Sequence, residues 1–183
     1  MRRPKKDEYS PFHAAYIRLL PPKGTALSLL KKTFRETSAL LSDLPEEAGD
    51  YTYSEGKWTI KQVLMHLTDA ERVFACRALW FMRADRAPLP GFNQDFWMEY
   101  ADVSKRTVKD LLKEWKTVRD NTIHLVSNCS DEQSLQTGTA GNFKVSARAC
   151  FYIIIGHHLH HLEVLKERYL SVSDAAPSPD SSM

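Results

Sequence analysis

Residues 146–170 read SARACFYIIIGHHLHHLEVLKERYL and contain the most apolar stretch of the chain. At about 100° per residue, Cys150, Ile153, Ile154 and Leu165 fall on one face of a helix. An apolar face of this length has to be covered by other parts of the chain. The stretch therefore predicts a long helix packed inside a helical assembly.

Three further segments have helical periodicity, and each has one apolar face: residues 23–44, 59–84 and 104–128. Pro45 ends the first segment, Thr59 and Gln62 form a capping box at the start of the second, and Ser104 is the predicted N-cap of the third. Four long helices of this kind predict an all-α fold, a four-helix bundle.

The connections between these helices are short or irregular. Pro88, Pro90 and Gly91 predict a loop between the second and third helices, and residues 93–100 fit a short helix there. The polar, glycine-containing stretch SDEQSLQTGTAGNFKV (130–145) fits a tight turn or a small hairpin.

Composition at the two ends predicts three regions of different character. Residues 1–22 contain four prolines and are interpreted as an irregular N-terminal arm. Residues 23–170 form the bundle domain, and the Ser/Pro/Asp-rich residues 171–183 are interpreted as a flexible C-terminal tail.

Charge and apolar content exclude several classes of partner. The chain has 25 Lys and Arg against 23 Asp and Glu, whereas nucleic-acid-binding domains usually have a strong, clustered basic excess. No apolar run approaches the roughly 18–20 residues of a membrane span, and no signal peptide is recognisable. The three cysteines form no CxxC motif. We expect a cytoplasmic protein without a nucleic-acid or membrane partner, and a homodimer is the commonest oligomer for such a chain.

The histidines carry the functional signal. His157 and His161 are four residues apart and lie on the apolar face of the last helix, whereas His158 and His160 fall on its flanks. His66 lies in the apolar stripe of the second helix. Buried imidazoles need partners for their ring nitrogens, and a divalent ion such as Zn, Ni, Cu or Fe satisfies three of them at once.

Other interpretations of the same histidines remain open on the residues alone. A single histidine on an apolar face is commonly a core residue, and a histidine-rich tract can be solvated. A zincin protease is not supported, because His158 stands where its catalytic Glu would follow the first His. The residues leave a metal site and a polar core cluster about equally favoured.

Several other polar side chains lie near these faces. Asp69 follows His66 by three residues and is a candidate to orient a ligand or act as a base, or else to pair with Arg72. Arg77 and Arg168 project towards the inward stripes, where a structural ion pair is favoured over an anionic substrate. Cys150 is interpreted as a core residue.

Three motifs together resemble the DinB-like (DinB/YfiT) superfamily: WTIKQVLMHLTDAER (58–72), PLPGFNQD (88–95) and IGHHLHHL (155–162). The resemblance covers roughly residues 25–170. It implies a four-helix bundle with a divalent metal, Zn or Ni, bound by His66, His157 and His161. It also implies a small-molecule substrate and either hydrolysis or transfer to a low-molecular-weight thiol such as bacillithiol or mycothiol.

Three neutral histidine ligands leave an ion with an open coordination position, as in catalytic zinc sites. We therefore expect a metal-dependent hydrolase or a thiol-dependent S-transferase. The alternative is a non-catalytic metal-binding or stress-related bundle. A di-iron bundle is excluded, because the Glu-x-x-His pattern that it requires is absent from the sequence.

Overall fold

The computed structural model describes residues 1–170, so the predicted C-terminal tail lies outside the described residues. The helices are α1 (Ala14–Arg18), α2 (Ala26–Leu41), α3 (Ile60–Met82), α4 (Gln94–Tyr100), α5 (Val108–Ser127), α6 (Asp131–Leu135) and α7 (Ala147–Val164). The chain continues from α7 into a wider helical turn, Leu165–Leu170. Strands β1 (Thr137–Ala140) and β2 (Phe143–Ser146) form the one small antiparallel sheet of the described residues. The predicted all-α four-helix bundle is confirmed.

The bundle consists of α2, α3, α5 and α7. Helix α3 packs against α5 and α7, and α2 packs against the same two helices. The consecutive helices α2 and α3 therefore lie diagonally opposite each other. This arrangement places α3 and α7, which carry the candidate ligands, side by side.

Helix starts follow local capping chemistry. The predicted capping box is present, since the Gln62 amide N–H donates to Thr59 Oγ1 at 3.2 Å and the Thr59 N–H donates to Gln62 Oε1 at 2.9 Å. The third long helix begins later than predicted. Its N-cap is Thr107, whose Oγ1 accepts from the Asp110 N–H, whereas Ser104 donates to Asp102 within the preceding turn. The prediction of Ser104 as the N-cap is wrong, because the Asp102 carboxylate competes for that hydroxyl.

The two connections contact each other beside the bundle. The short helix predicted at residues 93–100 is α4, capped by Asn93. The hairpin turns at Gly141 and Asn142, both of which have positive φ. The Leu89 N–H donates to the Thr139 carbonyl at 2.9 Å, and the Gly141 N–H donates to the Leu89 carbonyl at 3.1 Å. These bonds attach the loop after α3 to the hairpin before α7.

The N-terminal arm is more ordered than the proline content suggested, because it contains two short 3-10 turns and α1. Burial alone would raise the pKa of Glu8, but hydrogen bonds from Arg148, the Lys5 N–H and Ser146 lower it to about 2. Further along, Gly156 lets the arm approach α7 closely, since a Cβ there would lie 2.2 Å from the Tyr16 carbonyl oxygen. The arm is thereby held against the end of α7 that carries the histidines.

None of the helices within residues 1–170 combines the length and apolar character that crossing a membrane requires.

Candidate metal centre

Three histidine side chains converge where α3 meets α7. The Nε2 atom of His157 lies 2.9 Å from Nε2 of His66 and 3.1 Å from Nε2 of His161. One ligand atom from each of the three residues lies within 4.8 Å of the others. Two of the rings come from consecutive turns of α7 and the third from the second turn of α3.

Aromatic side chains pack against these rings and restrict their orientation. The Trp58 ring lies 4.8 Å from the His66 ring, between centroids. The Tyr16 ring makes an edge contact with His157 at 5.2 Å, and it reaches that position because α1 lies against Gly156. The imidazoles are therefore held in place by residues from both the bundle and the arm.

Burial keeps these imidazoles in the neutral form that binds metals. Burial and then the charge of His160 lower the pKa of His66 to about 4, and burial followed by His66 and His160 lowers that of His161 to about 3. The pKa of His157 also lies well below its ordinary value, because the residue is buried among the other histidines. At neutral pH each ring has one nitrogen with a free lone pair.

The donor set fits a divalent transition metal. The Nε2 atoms of His66 and His161 both contact the same atom, Nε2 of His157. Because a neutral ring nitrogen either donates one proton or accepts with one lone pair, His157 Nε2 cannot form a good hydrogen bond to both. A cation accepts all three lone pairs. A zinc–nitrogen distance of about 2.0–2.1 Å places tetrahedral ligand atoms about 3.3 Å apart, which is close to the separations of 2.9 Å and 3.1 Å from His157 to the other two histidines.

A cavity of about 440 Å³ opens next to this cluster. Its walls come from the arm, α3, the loop before α4, the hairpin and α7, and they include His66 and His157. Its size falls within the range of small-molecule sites. A reacting molecule in the cavity would be adjacent to an ion held by the histidines.

The other predicted site residues lie in different surroundings. Asp69 pairs with Arg72 at 3.1 Å and is not among the residues that line the cavity. Burial raises the pKa of Asp69, although hydrogen bonding to Arg72 acts in the opposite direction. Cys150 is a core residue, as expected, and burial raises the pKa of its thiol to about 12.

The two inward arginines have different outcomes. Arg168 is exposed, so the prediction that it lies inward is wrong; it falls in the wider helical turn after α7, where the projection no longer applies. Arg77 is buried and lines the cavity, but the ion pair favoured for it is not found among residues 1–170.

The sequence interpretation missed a second buried polar cluster. Arg119 pairs with Glu71 at 2.8 Å, and its guanidinium lies 3.3 Å from Nδ1 of His158. Nε2 of His158 lies 2.8 Å from Thr37 Oγ1, and the Trp115 indole donates to Glu71 at 2.8 Å. This cluster could have been predicted from two charged residues of opposite sign on inward helix faces, Glu71 on α3 and Arg119 on α5.

Comparisons with known proteins give a consistent picture. The family model described as "DinB superfamily" matches residues 29–165. A relative from Bacillus mycoides named "putative metal-dependent hydrolase" is 25% identical over 140 residues, which cover 73% of this chain and 79% of the relative. A relative of the same name from Oceanobacillus iheyensis is 25% identical over 134 residues, or 69% of this chain and 75% of the relative.

Among solved structures, the chain is similar to YfiT from Bacillus subtilis, described as "a probable metal-dependent hydrolase with an unusual four-helix bundle topology". The TM-score is 0.69, with 15% identity and 94% of each chain covered. At this identity the likeness shows the fold. The arm before residue 29 lies outside the matched family model, although it supplies part of the cavity wall.

Proposed function

The chain belongs to the DinB superfamily, and from this premise we propose that it is a divalent-metal-dependent hydrolase of a small-molecule substrate. We propose His66, His157 and His161 as the metal ligands and zinc or nickel as the metal. The observation that carries the proposal is the convergence of three neutral imidazole nitrogens beside a cavity of about 440 Å³, which two of the three histidines line.

A divalent ion held by His66, His157 and His161 would supply Lewis acidity, since metal ions of this kind lower the pKa of bound water to near 7. The chain supplies the rest of the site. Its three histidines bind through neutral nitrogens and so leave the charge of the ion uncompensated. Trp58 and Tyr16 hold two of the rings in orientation, and the arm restricts access of water from one side.

Transfer to a low-molecular-weight thiol is the second reaction in this proposal, because the same open position accepts a thiolate. The thiol would come from a cosubstrate, since Cys150 is fully buried and its pKa is raised to about 12. A homodimer is retained as a prediction. We also propose Asp69 as a residue that orients a ligand or acts as a base.

The test begins with elemental analysis of protein purified without a histidine tag and incubated with zinc or nickel. We expect about one metal ion per chain and metal-dependent hydrolysis of 4-nitrophenyl acetate. The triple variant with His66→Ala, His157→Ala and His161→Ala should lose both. The matched control is His124→Ala, because His124 is exposed on α5 and should keep both.

Two results would count against the proposal. Protein that takes up no metal after incubation has a polar histidine cluster in place of a metal centre. Protein that binds one metal without hydrolysing esters or transferring thiols fits the alternative, a non-catalytic metal-binding bundle.

A further inference from the structure

We propose that the cavity beside the three histidines takes a small carboxylate-bearing molecule with an apolar body, and that Arg77 binds its carboxylate. This inference names the substrate class of the hydrolase site proposed above and rests on that proposal.

Arg77 has far more hydrogen-bond donors than the chain satisfies. The residue is 7% exposed, and its Nη2 donates to the Pro90 carbonyl at 2.7 Å. Within residues 1–170 its side chain makes no other hydrogen bond, and no carboxylate pairs with it. A guanidinium has five N–H groups, and a buried cation without a counter-ion is unfavourable. The remaining N–H groups of Arg77 are therefore available to an anionic ligand.

Two phenylalanine rings flank the guanidinium without replacing that anion. The guanidinium carbon lies 5.0 Å from the Phe74 ring centroid and 5.8 Å from the Phe92 centroid. Cation–π contacts of this kind favour the charge, but they provide no strong acceptor for the N–H groups. A carboxylate accepts two such N–H groups in one plane.

The cavity has the charge balance expected of an anion site. Its lining residues include no Asp or Glu, and Arg77 is the one permanently charged side chain among them. His13, also on the wall, has a pKa lowered to about 4 by burial and then by the charge of Arg77. His13 is therefore neutral near pH 7, which leaves Arg77 as the positive charge on this wall.

The position of Arg77 separates the binding group of the ligand from its reacting bond. Arg77 follows His66 by three turns of α3, about 16 Å along the helix axis, and its side chain leans back towards His66. Ala70 and Phe74 line the wall between them, and Phe92 and Tyr16 extend the apolar surface. The ligand thus has its carboxylate at Arg77, an apolar body, and its reacting group towards the histidines.

The test compares phenylacetate with phenylacetamide, two probes of similar shape that differ in charge. Each is titrated into chelator-treated, metal-free protein and followed by NMR. We expect phenylacetate to bind about tenfold more tightly, since charge-assisted hydrogen bonds account for at least this factor. Its chemical-shift changes should fall on the amides of Phe74, Arg77 and Phe92.

Variants assign the preference to the guanidinium. Arg77→Met should bind both probes equally, whereas Arg77→Lys should keep part of the preference. The matched control is Arg83→Met, which removes an exposed arginine at the end of the same helix and should behave as wild type. Thermal unfolding shows which variants are folded, and the wild-type titration tests the inference even if Arg77→Met does not fold.

The inference is overturned if the wild-type protein does not discriminate between the probes, if the shift changes lie elsewhere, or if a folded Arg77→Met keeps the preference. In those cases Arg77 serves to hold the loop at Pro90. Because these titrations contain no metal, they are independent of the metal analysis that tests the proposed function. Metal binding without the preference refutes the inference alone, and the preference without metal binding refutes the hydrolase proposal alone.

Discussion

His157 and His158 are neighbours on α7, yet they belong to two buried polar clusters of opposite character. Both nitrogens of His158 have partners from the chain, Thr37 on one side and Arg119 on the other. Nε2 of His157 meets only the nitrogens of two more histidines among the described residues. The first cluster is satisfied by other parts of the protein, whereas the second is the cluster that we propose to bind a metal ion.

The difference shows how a buried polar group can be assigned to stability or to function. Arg119 and Glu71 are 1% and 2% exposed in their side chains, so the charge of each is neutralised by the other deep inside the bundle. The histidine cluster lies beside a cavity, and within residues 1–170 no charged side chain pairs with its three rings. Complete hydrogen bonding to other residue types indicates a structural element, whereas imidazole nitrogens that meet only one another fit the proposed metal site.

The largest expected effect comes from breaking the satisfied cluster. Glu71→Ala leaves the Arg119 guanidinium buried without its counter-ion, and we expect a loss of about 3–5 kcal/mol in the free energy of unfolding. Denaturant unfolding of the metal-free protein measures it. Asp120→Ala is the control, because it breaks the exposed Lys116–Asp120 pair and should cost less than about 0.5 kcal/mol. Equal losses in the two variants would contradict the structural role of the Glu71 pair.

A smaller effect is expected from removing the metal. An ion at a free concentration of 100 times its dissociation constant stabilises the folded state by about 2.7 kcal/mol. A chelator should therefore lower the melting temperature of metal-loaded protein. The same addition should leave the variant with His66→Ala, His157→Ala and His161→Ala unchanged. A chelator-induced shift that persists in this variant would place the ion at another site.

The smallest effect is expected from Asp69→Asn, a change one helical turn after the proposed ligand His66. Asp69 pairs with Arg72, whose side chain is 44% exposed, so loss of the pair should change the unfolding free energy by less than about 1 kcal/mol. Metal content should also stay the same. Ester hydrolysis by the metal-loaded variant then decides the role of the carboxylate. Activity within about twofold of wild type indicates an ion pair only, and a loss of tenfold or more (about 1.4 kcal/mol) indicates participation in the reaction.

Local sequence patterns predicted the four long helices, one of their caps and the positions of the converging histidines. The four apolar periodicities predicted the bundle, and the capping box at Thr59 and the short helix at Asn93 follow from side chains within three residues. The same projection selected the histidines that converge, because residues four apart on a helix share a face. Their role as ligands remains a prediction.

The features that the sequence did not reveal depend on contacts between distant residues. The N-cap of α5 was misplaced because Ser104 and Thr107 are equally good caps, and a neighbouring carboxylate decides between them. The cluster of His158, Arg119 and Glu71 brings three helices together, and no spacing within one helix predicts which charges will meet.

Periodicity and capping within single segments predict the helical class, the approximate extent of the four long helices and most of their inward faces. The tertiary structure decided which helices are neighbours, which buried charges are neutralised, and that the arm and the hairpin close a cavity around Arg77. Such contacts form between segments that are far apart in the chain, so no local pattern predicts them. The close approach of Tyr16 to Gly156, for example, brings the Tyr16 side chain to the histidines.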